Sequence, residues 1–342
     1  MPRIGQNPAK FVDVVEQPAP VTVAVLSYIP FLAGFYTESL EVLRISLRSI
    51  LKQTQQPFDL MVFDNGSCAE VIDFLKGMRA NGSIQYLILS SENLGKVGAW
   101  NFIFRAAPGE YIAYSDSDIL YLPGWLEKHL EIFNAYPDVG TVTGLPRRRR
   151  PDFSEHTIER VKVHPSIELK IGKSLPEEWI IDHARSLDKE DELAVDLARD
   201  DYHLVCNGVE AYVTAQHFQF VIRKDVIRPF LPFSYERPMG SDVAKFDRAI
   251  DGSGLLRLAT AERSVLHMGN VVDSELLHRV RGGILESASP RSVSRSARGM
   301  IWKLIHWQPI RWFLLGIYNR IFRLYYSSRV SRPEHAGGKC ES

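Results

Sequence analysis

The sequence predicts an α/β protein: a Rossmann-like, mostly parallel sheet flanked by helices, with a charged insertion and a C-terminal helical tail. Three observations carry this. Val21–Leu26 and Tyr111–Tyr114 are short, continuous apolar runs, the pattern of strands covered on both faces. Leu40, Leu43, Leu47, Ile50 and Leu51 recur at helical spacing, with Arg44, Arg48 and Lys52 on the other faces. From Val21 to Gly144 strand and helix patterns alternate, the order of βαβ units.

In chain order, the first strand closes on Ser27 and Tyr28, and the helix around Leu40–Leu51 follows. The second strand, Phe58–Phe63, ends in Asp64-Asn65-Gly66-Ser67, residue types that favour a turn. Asp64 is nevertheless expected at the carboxyl edge of the sheet, where open α/β proteins bind ligands. A helix over Ala69–Met78 and a third strand over Ile84–Leu89 come next. Asn93 to Asn101 opens a helix running to about Ala107. Gly95 and Gly98 let the chain lie close to a ligand there, and free helix-start amides suit an anion. The Gly-x-Gly-x-x-Gly dinucleotide pattern is missing. Lys96 is either a phosphate contact or a solvated side chain, and spacing alone favours the second.

Tyr111–Tyr114 then runs into Asp116-Ser117-Asp118, ahead of a helix with Pro123 in its first turn. Two carboxylates in a strand-to-helix loop present oxygens to a hard divalent cation. They equally suit a polar turn that caps the helix.

Composition sets bounds. A chain of 342 residues suits one large α/β domain with additions, or two modest domains. Basic and acidic residues balance at 41 each, so no global charge points to nucleic acid. Cys68, Cys206 and Cys340 are odd in number and lack a Cys-x-x-Cys pair, which supports neither a disulfide framework nor a cysteine zinc site. Residues 1–20 have no apolar core of signal-peptide length. A reducing, cytoplasmic compartment is expected.

Beyond Gly144 the pattern changes. Arg147 to Arg150 opens a charge-rich stretch that turns acidic from Asp188 to Asp201, with a helix signal around Trp179–Leu187. The four arginines suit either a phosphorylated or acidic acceptor or, more readily, a solvated charge run. Strand patterns resume at Ala211–Thr214, Phe218–Ile222 and Leu255–Thr260. Between them Val243, Phe246 and Ile250 mark a helix face, started by Ser241 or Asp242. The expected division is 1–20 as an N-terminal extension, 21–146 and 208–271 as the two halves of the main domain, and 147–207 as an insertion over its cleft. Residues 272–330 follow as a helical, aromatic and basic region, then 331–342 as a tail. Its apolar run, Trp312–Ile317, is too short to span a bilayer, which takes ~20 residues. The mixture over 300–326 suits a helix in a membrane interface, or one docked on protein.

Taken in register, Val21–Tyr28, Asp64–Ser67, Asn93–Gly95 with Ala99–Asn101, Asp116–Asp118, Pro123–Leu126 and Tyr136–Gly140 resemble the family 2 glycosyltransferases, which adopt the GT-A fold. The resemblance covers about Val21–Gly144 and, more loosely, Glu210–Asn270. It implies metal-dependent transfer of a sugar, with inversion, from a nucleotide-sugar, by default a UDP-sugar, in glycan or polysaccharide synthesis. The implied acceptor is a hydroxyl of a glycan, a lipid-linked sugar or a protein, and the implied place is the cytoplasm or the inner face of the cell membrane. Asp64 then matches the carboxylate that hydrogen-bonds the nucleobase, Asp116 the residue near ribose and metal, and Asp118 the principal ligand of Mn²⁺ or Mg²⁺. Ser27, Tyr28, Asn93, Lys96 and Asn101 fall at donor-side positions. Asp242 matches the catalytic base, with Ser241 in place of the usual glutamate and Glu236 close by as reserve. His267 matches a histidine that reaches metal or diphosphate, although a lone histidine after an apolar run is otherwise a core residue. A sugar-phosphate nucleotidylyltransferase would need a glycine-rich loop that Ser27–Phe31 lacks. A non-catalytic binder is disfavoured by the presence of Asp116, Asp118 and Asp242.

Overall fold

The chain begins its regular structure with β1 (Val21–Ser27), α1 (Ser39–Gln53), β2 (Phe58–Asn65), α2 (Ala69–Ala80), β3 (Tyr86–Ser90), α3 (Gly95–Ala106) and β4 (Tyr111–Asp116). Then come β5 (Ile119–Tyr121), α4 (Trp125–Ala135), β6 (Val139–Thr143), α5 (Glu155–Val163), β7 (Ile167–Gly172), α6 (Glu177–Ser186), α7 (Leu193–Ala198) and β8 (Asp201–Cys206). The series closes with β9 (Val209–Val213), β10 (Gln219–Arg223), α8 (Lys224–Ile227), α9 (Ser241–Gly252), β11 (Leu256–Thr260) and β12 (Val265–His267). This is a computed structural model, and it describes residues 5–148, 153–214, 216–234 and 241–272, together with Ile317 and Arg320.

Ten strands form one sheet in the order β3-β2-β1-β4-β10-β6-β11-β9-β8-β7. The β3-β2-β1-β4 half is wholly parallel, with a helix between successive strands, as the alternating sequence pattern predicts. Its register decides where ligands can bind: Ser27 pairs with Asp64 and Leu26 with Asp116, so both acidic strand ends reach the same edge. β10 enters antiparallel between β4 and β6, with Gln219 opposite Ser115. A second, two-stranded sheet pairs β5 with β12 and sets His267 opposite Ile119, next in sequence to Asp118.

Period-two alternation gives β1 two buried faces. Val23 and Val25 pack on one side with Leu43, Leu47 and Trp125, and Ala24 on the other with Trp100, Phe104 and Phe246. Trp100 sits edge-on to Tyr114, Phe220 and Phe246, tying α3, β4, β10 and α9 into one aromatic cluster.

The described residues of 147–207 supply α5, α6, α7 and the antiparallel strands β7 and β8, which lengthen the sheet beyond β9. These strands were not legible in sequence. β7 lies at the sheet edge with only Ile167 buried, so its charge-rich composition resembles a loop. Arg147 and Arg148 are not solvated: Arg148 is buried, and Arg147 bonds His183 Nε2 and Asp196 Oδ2, each at 3.0 Å. Arg149 and Arg150 lie outside the described residues, as do Glu236 and the 300–326 region apart from Ile317 and Arg320. Among the described residues no helix is long and apolar enough to cross a membrane.

A buried polar chain fixes α4 against β10 and β6. His129 Nδ1 meets Trp125 O at 2.6 Å, Gln219 Nε2 lies 3.2 Å from His129 Nε2, and Gln219 Oε1 accepts from the Gly144 amide at 2.8 Å. Burial lowers His129 from 6.5 to about 4. The unfolded chain therefore takes the proton first as pH falls, so this group's stability is whole above pH 6.5 and lost on the way to about pH 4. We expect it to remove about 3 kcal/mol over that window. Urea unfolding across the same range should show the loss in the wild type and a flatter profile in His129→Gln; equal slopes would assign the loss to other groups.

Candidate active site at the carboxyl edge of the sheet

Asp64 is fully buried at the end of β2. The Ser67 amide donates to its Oδ1 at 2.9 Å, while Oδ2 has no hydrogen-bond partner among the described residues. Burial raises this carboxyl, against the opposing interactions of Ser67, Gly66 and the Ser27 hydroxyl. Ser27 is buried beside it in the β1–β2 pairing, and Tyr28 is half-buried, edge-on to Tyr36. The turn after β2 demands glycine: Gly66 has φ +91°, and a Cβ there would come within 3.1 Å of the Glu92 backbone.

That close approach brings the β2 turn to the start of α3, where two asparagines form a collar. Asn65 Oδ1 accepts from the Leu94 amide at 2.9 Å, and Asn93 Oδ1 accepts from the Gly95 amide at 2.8 Å and from Asn65 Nδ2 at 2.9 Å. Asn93 thus holds the helix start. Asn101 lies further along α3, with its amide engaged elsewhere: Nδ2 donates to Phe233 O at 2.9 Å and Oδ1 accepts from Phe233 N at 2.8 Å. It clamps the 230–234 loop to α3.

Asp116 is fully partnered. Tyr114 OH donates to Oδ1 and Lys96 Nζ to Oδ2, both at 2.6 Å, and Lys96 also lies 5.6 Å from the Trp100 and Tyr114 ring centres. Lys96 is therefore neither freely solvated nor free to reach a phosphate without leaving Asp116. Asp118 differs. Its Oδ1 is buried without a partner among the described residues, and its Oδ2 lies 3.3 Å from His267 Nε2. The Met268 amide donates to Asp118 O at 2.8 Å, which locks β12 to this loop. Burial raises the Asp118 carboxyl, His267 opposes, and repulsion by Asp116 adds to the rise. Asp118 and His267 offer an oxygen and nitrogen donor set that suits a divalent cation such as Mn²⁺. Among the described residues no group of three or more such side chains converges, so a cation here needs further ligands from its substrate or water.

On the other side of β4, His217 precedes Phe218, whose carbonyl accepts from the Asp116 amide at 2.7 Å. His217 Nδ1 lies 3.2 Å from Asp247 Oδ2, and the buried Arg257 guanidinium bonds Asp247 Oδ1, Asp247 O and Phe153 O. Burial alone would raise the Asp247 carboxyl, but the Arg257 charge together with the His217 and Arg257 hydrogen bonds outweighs it and holds the group low. A charged residue inside the apolar run Leu255–Thr260 must be paired, and that was the available sequence signal for this cluster. His217 itself carries no pattern in sequence. Asp242 lies in the first turn of α9.

Residues 34–196, just under half of the chain, match the model of glycosyl transferase family 2. An uncharacterized glycosyltransferase of Nostoc sp. is 28% identical over 100 residues, 29% of this chain and 31% of its own length. A poly-beta-1,6-N-acetyl-D-glucosamine synthase of Staphylococcus aureus is 27% identical over 129 residues, 38% of this chain and 31% of its own. The chain thus spans under a third of the length of these relatives. A mannosyltransferase from Pyrobaculum calidifontis, solved with GDP-Man and Mn²⁺, aligns over 73% of this chain and 57% of its own at 16% identity, with a TM-score of 0.40.

The Arg257–Asp247 pair is a stability element beside the site. Asp247→Ala would strand a buried guanidinium, and we expect denaturant unfolding to show about 3–5 kcal/mol lost. His217→Ala, at the half-exposed end of the same cluster, should cost under about 1 kcal/mol.

Proposed function

From the premise that this chain belongs to glycosyl transferase family 2 through residues 34–196, we propose that it moves a sugar from a nucleotide-sugar, a UDP-sugar in the first place, to an acceptor hydroxyl. The observation that carries the reading is Asp118, half-buried at the sheet edge, with one buried oxygen unpartnered among the described residues and the other facing His267. A carboxylate kept in that state is costly unless a ligand completes it.

Asp118 and His267 would hold Mn²⁺ or Mg²⁺, with Asp116 behind them and the donor's phosphates completing the shell. The cation supplies Lewis-acid neutralisation of the charge that develops on the departing nucleoside diphosphate. Asp64 Oδ2 accepts the imide N–H of the base, its raised carboxyl being compensated by that bond. Ser27 and Tyr28 border the base, and Asn93 shapes the helix start beside it. Lys96 neutralises Asp116 and, on leaving it, the diphosphate. Asp242 takes the proton of the acceptor hydroxyl from the face opposite the leaving group, which makes the transfer a single inverting displacement. Residues 21–146 form the donor half, 208–271 the acceptor half, and 147–207 the cover of the cleft. The acceptor is a glycan, lipid-linked sugar or protein, in glycan or polysaccharide synthesis. The enzyme works in the cytoplasm, with 272–330 offering contact to the inner membrane face. His217, backed by Asp247, is the second reading for the base, because its half-exposed imidazole stands beside the acidic loop.

A thermal-shift panel of UDP-, dTDP- and GDP-sugars with Mn²⁺ or EDTA tests the donor site. A ligand at ~100 times its dissociation constant adds about 2.7 kcal/mol, several degrees in midpoint. We expect one nucleotide to shift the wild type in Mn²⁺ alone and not to shift Asp118→Ala; no shift with any nucleotide would sink the reading. For the base, Asp242→Asn should bind donor normally while transfer falls by ~10²–10⁴-fold. Full transfer in Asp242→Asn with loss in His217→Gln would move the base to His217.

A further inference from the structure

The last residue of α6 touches the candidate cation site through one hydroxyl. Ser186 Oγ lies 2.7 Å from the carbonyl oxygen of His183 and 3.0 Å from His267 Nδ1. A serine hydroxyl carries one proton and two acceptor lone pairs, and a carbonyl oxygen only accepts. The proton therefore goes to His183 O, and Oγ accepts from His267. In the neutral imidazole this places the hydrogen on Nδ1 and leaves a lone pair on Nε2. That lone pair faces Asp118 Oδ2, another acceptor, at 3.3 Å. Two acceptors so placed repel each other until a positive charge lies between them.

We propose that Ser186 is a positioning residue for the cation site: by accepting the His267 Nδ1 hydrogen it fixes the tautomer whose Nε2 can ligate, and it makes cation affinity depend on how α6 is seated. The inference rests on the reading above, in which Asp118 and His267 hold the cation. Histidine ligands are commonly oriented through their second ring nitrogen in this way. The seat is built to be close. Gly269 has φ +71°, and a Cβ there would lie 2.7 Å from Ser186 O, so only glycine lets β12's continuation pass α6 at this distance. Arg263 Nη1 holds Asp182 of α6 at 2.9 Å, and the His183 ring packs against Phe218 and His267 at centroid distances of 5.4 and 5.7 Å. Met268 then passes the constraint to Asp118 through its amide. A helix contributed by the 147–207 segment thus sets the orientation of a ligand contributed by β12.

The test uses the full chain labelled with ¹⁵N-histidine, metal-free and without nucleotide, at mildly alkaline pH where a free imidazole is neutral. The His267 resonance is assigned by its loss in His267→Gln. Long-range ¹H–¹⁵N correlations read the tautomer, and calorimetry reads the affinity for Mn²⁺ alone. Expected are the Nδ1–H form in the wild type, a mixed or reversed tautomer in Ser186→Ala, and a Mn²⁺ dissociation constant raised ~10–100-fold in that variant. Ser186→Thr keeps a hydroxyl and should keep both properties. Gly269→Ala, which crowds α6 from the opposite side, should weaken Mn²⁺ as Ser186→Ala does. An Nε2–H form in the wild type, or a Ser186→Ala protein with unchanged tautomer and unchanged affinity, overturns the proposal. A wild type that binds no Mn²⁺ overturns the cation reading itself, and the tautomer measurement then decides separately whether Ser186 orients His267.

Discussion

The pairing of β1 with both β2 and β4 is the constraint on which the rest depends. Because Ser27 is opposite Asp64 and Leu26 opposite Asp116, the two acidic strand ends stop at one level on either side of a single strand. A slip of one residue would turn Val23 and Val25 from one buried face to the other and break both layers of core at once. The packing that stabilises the sheet therefore also holds these two carboxylates in place, while Asp118 is held by the Met268 amide beyond β12.

Among the carboxylates at and beside the strand ends, the structure separates those with partners from those that keep an oxygen without one. Asp247 is matched by Arg257, and Asp116 by Lys96 and Tyr114. Asp64 and Asp118 each keep a buried oxygen without a partner among the described residues, and burial raises both carboxyls. A satisfied buried charge is compatible with a purely structural role, whereas an unsatisfied one is a standing cost that a ligand can relieve. That contrast is why Asp64 and Asp118 are the two strand-end carboxylates proposed to meet a ligand, while Asp116 holds Lys96.

The 147–207 segment changes in meaning once folded. Several of its charges are used inside the protein: Arg147 with Asp196, Asp182 with Arg263, and Asp201 accepting from Ser174 and Leu175. The segment extends the sheet on one side and delivers Ser186 to His267 on the other. A stretch whose composition suggests solvated loop is thus bound to the acidic edge at several points.

Local pattern was enough for β1 through β4 and for α4, because continuous apolar runs and 3.6-residue periodicity are properties of neighbouring residues, and it was enough to bring Asp64, Asp116 and Asp118 to one edge; it did not show β5, which lies in what reads as a strand-to-helix loop. The amphipathic face of α9 and the apolar run of β11 were legible for the same reason. Local pattern could not show β7 and β8, whose edge position leaves little to bury, nor the diversion of Asn101 to Phe233, nor the capture of Arg148 in the interior. It could not show that Ser186 meets His267, 81 residues away in sequence. Such pairs are decided by where strands and helices pass in space. By itself the sequence determined the order of the elements and the chemical types gathered at the carboxyl edge. Only the tertiary structure decided which of those groups find partners within the protein and which remain for a ligand, because hydrogen bonding is satisfied atom by atom and not by residue type.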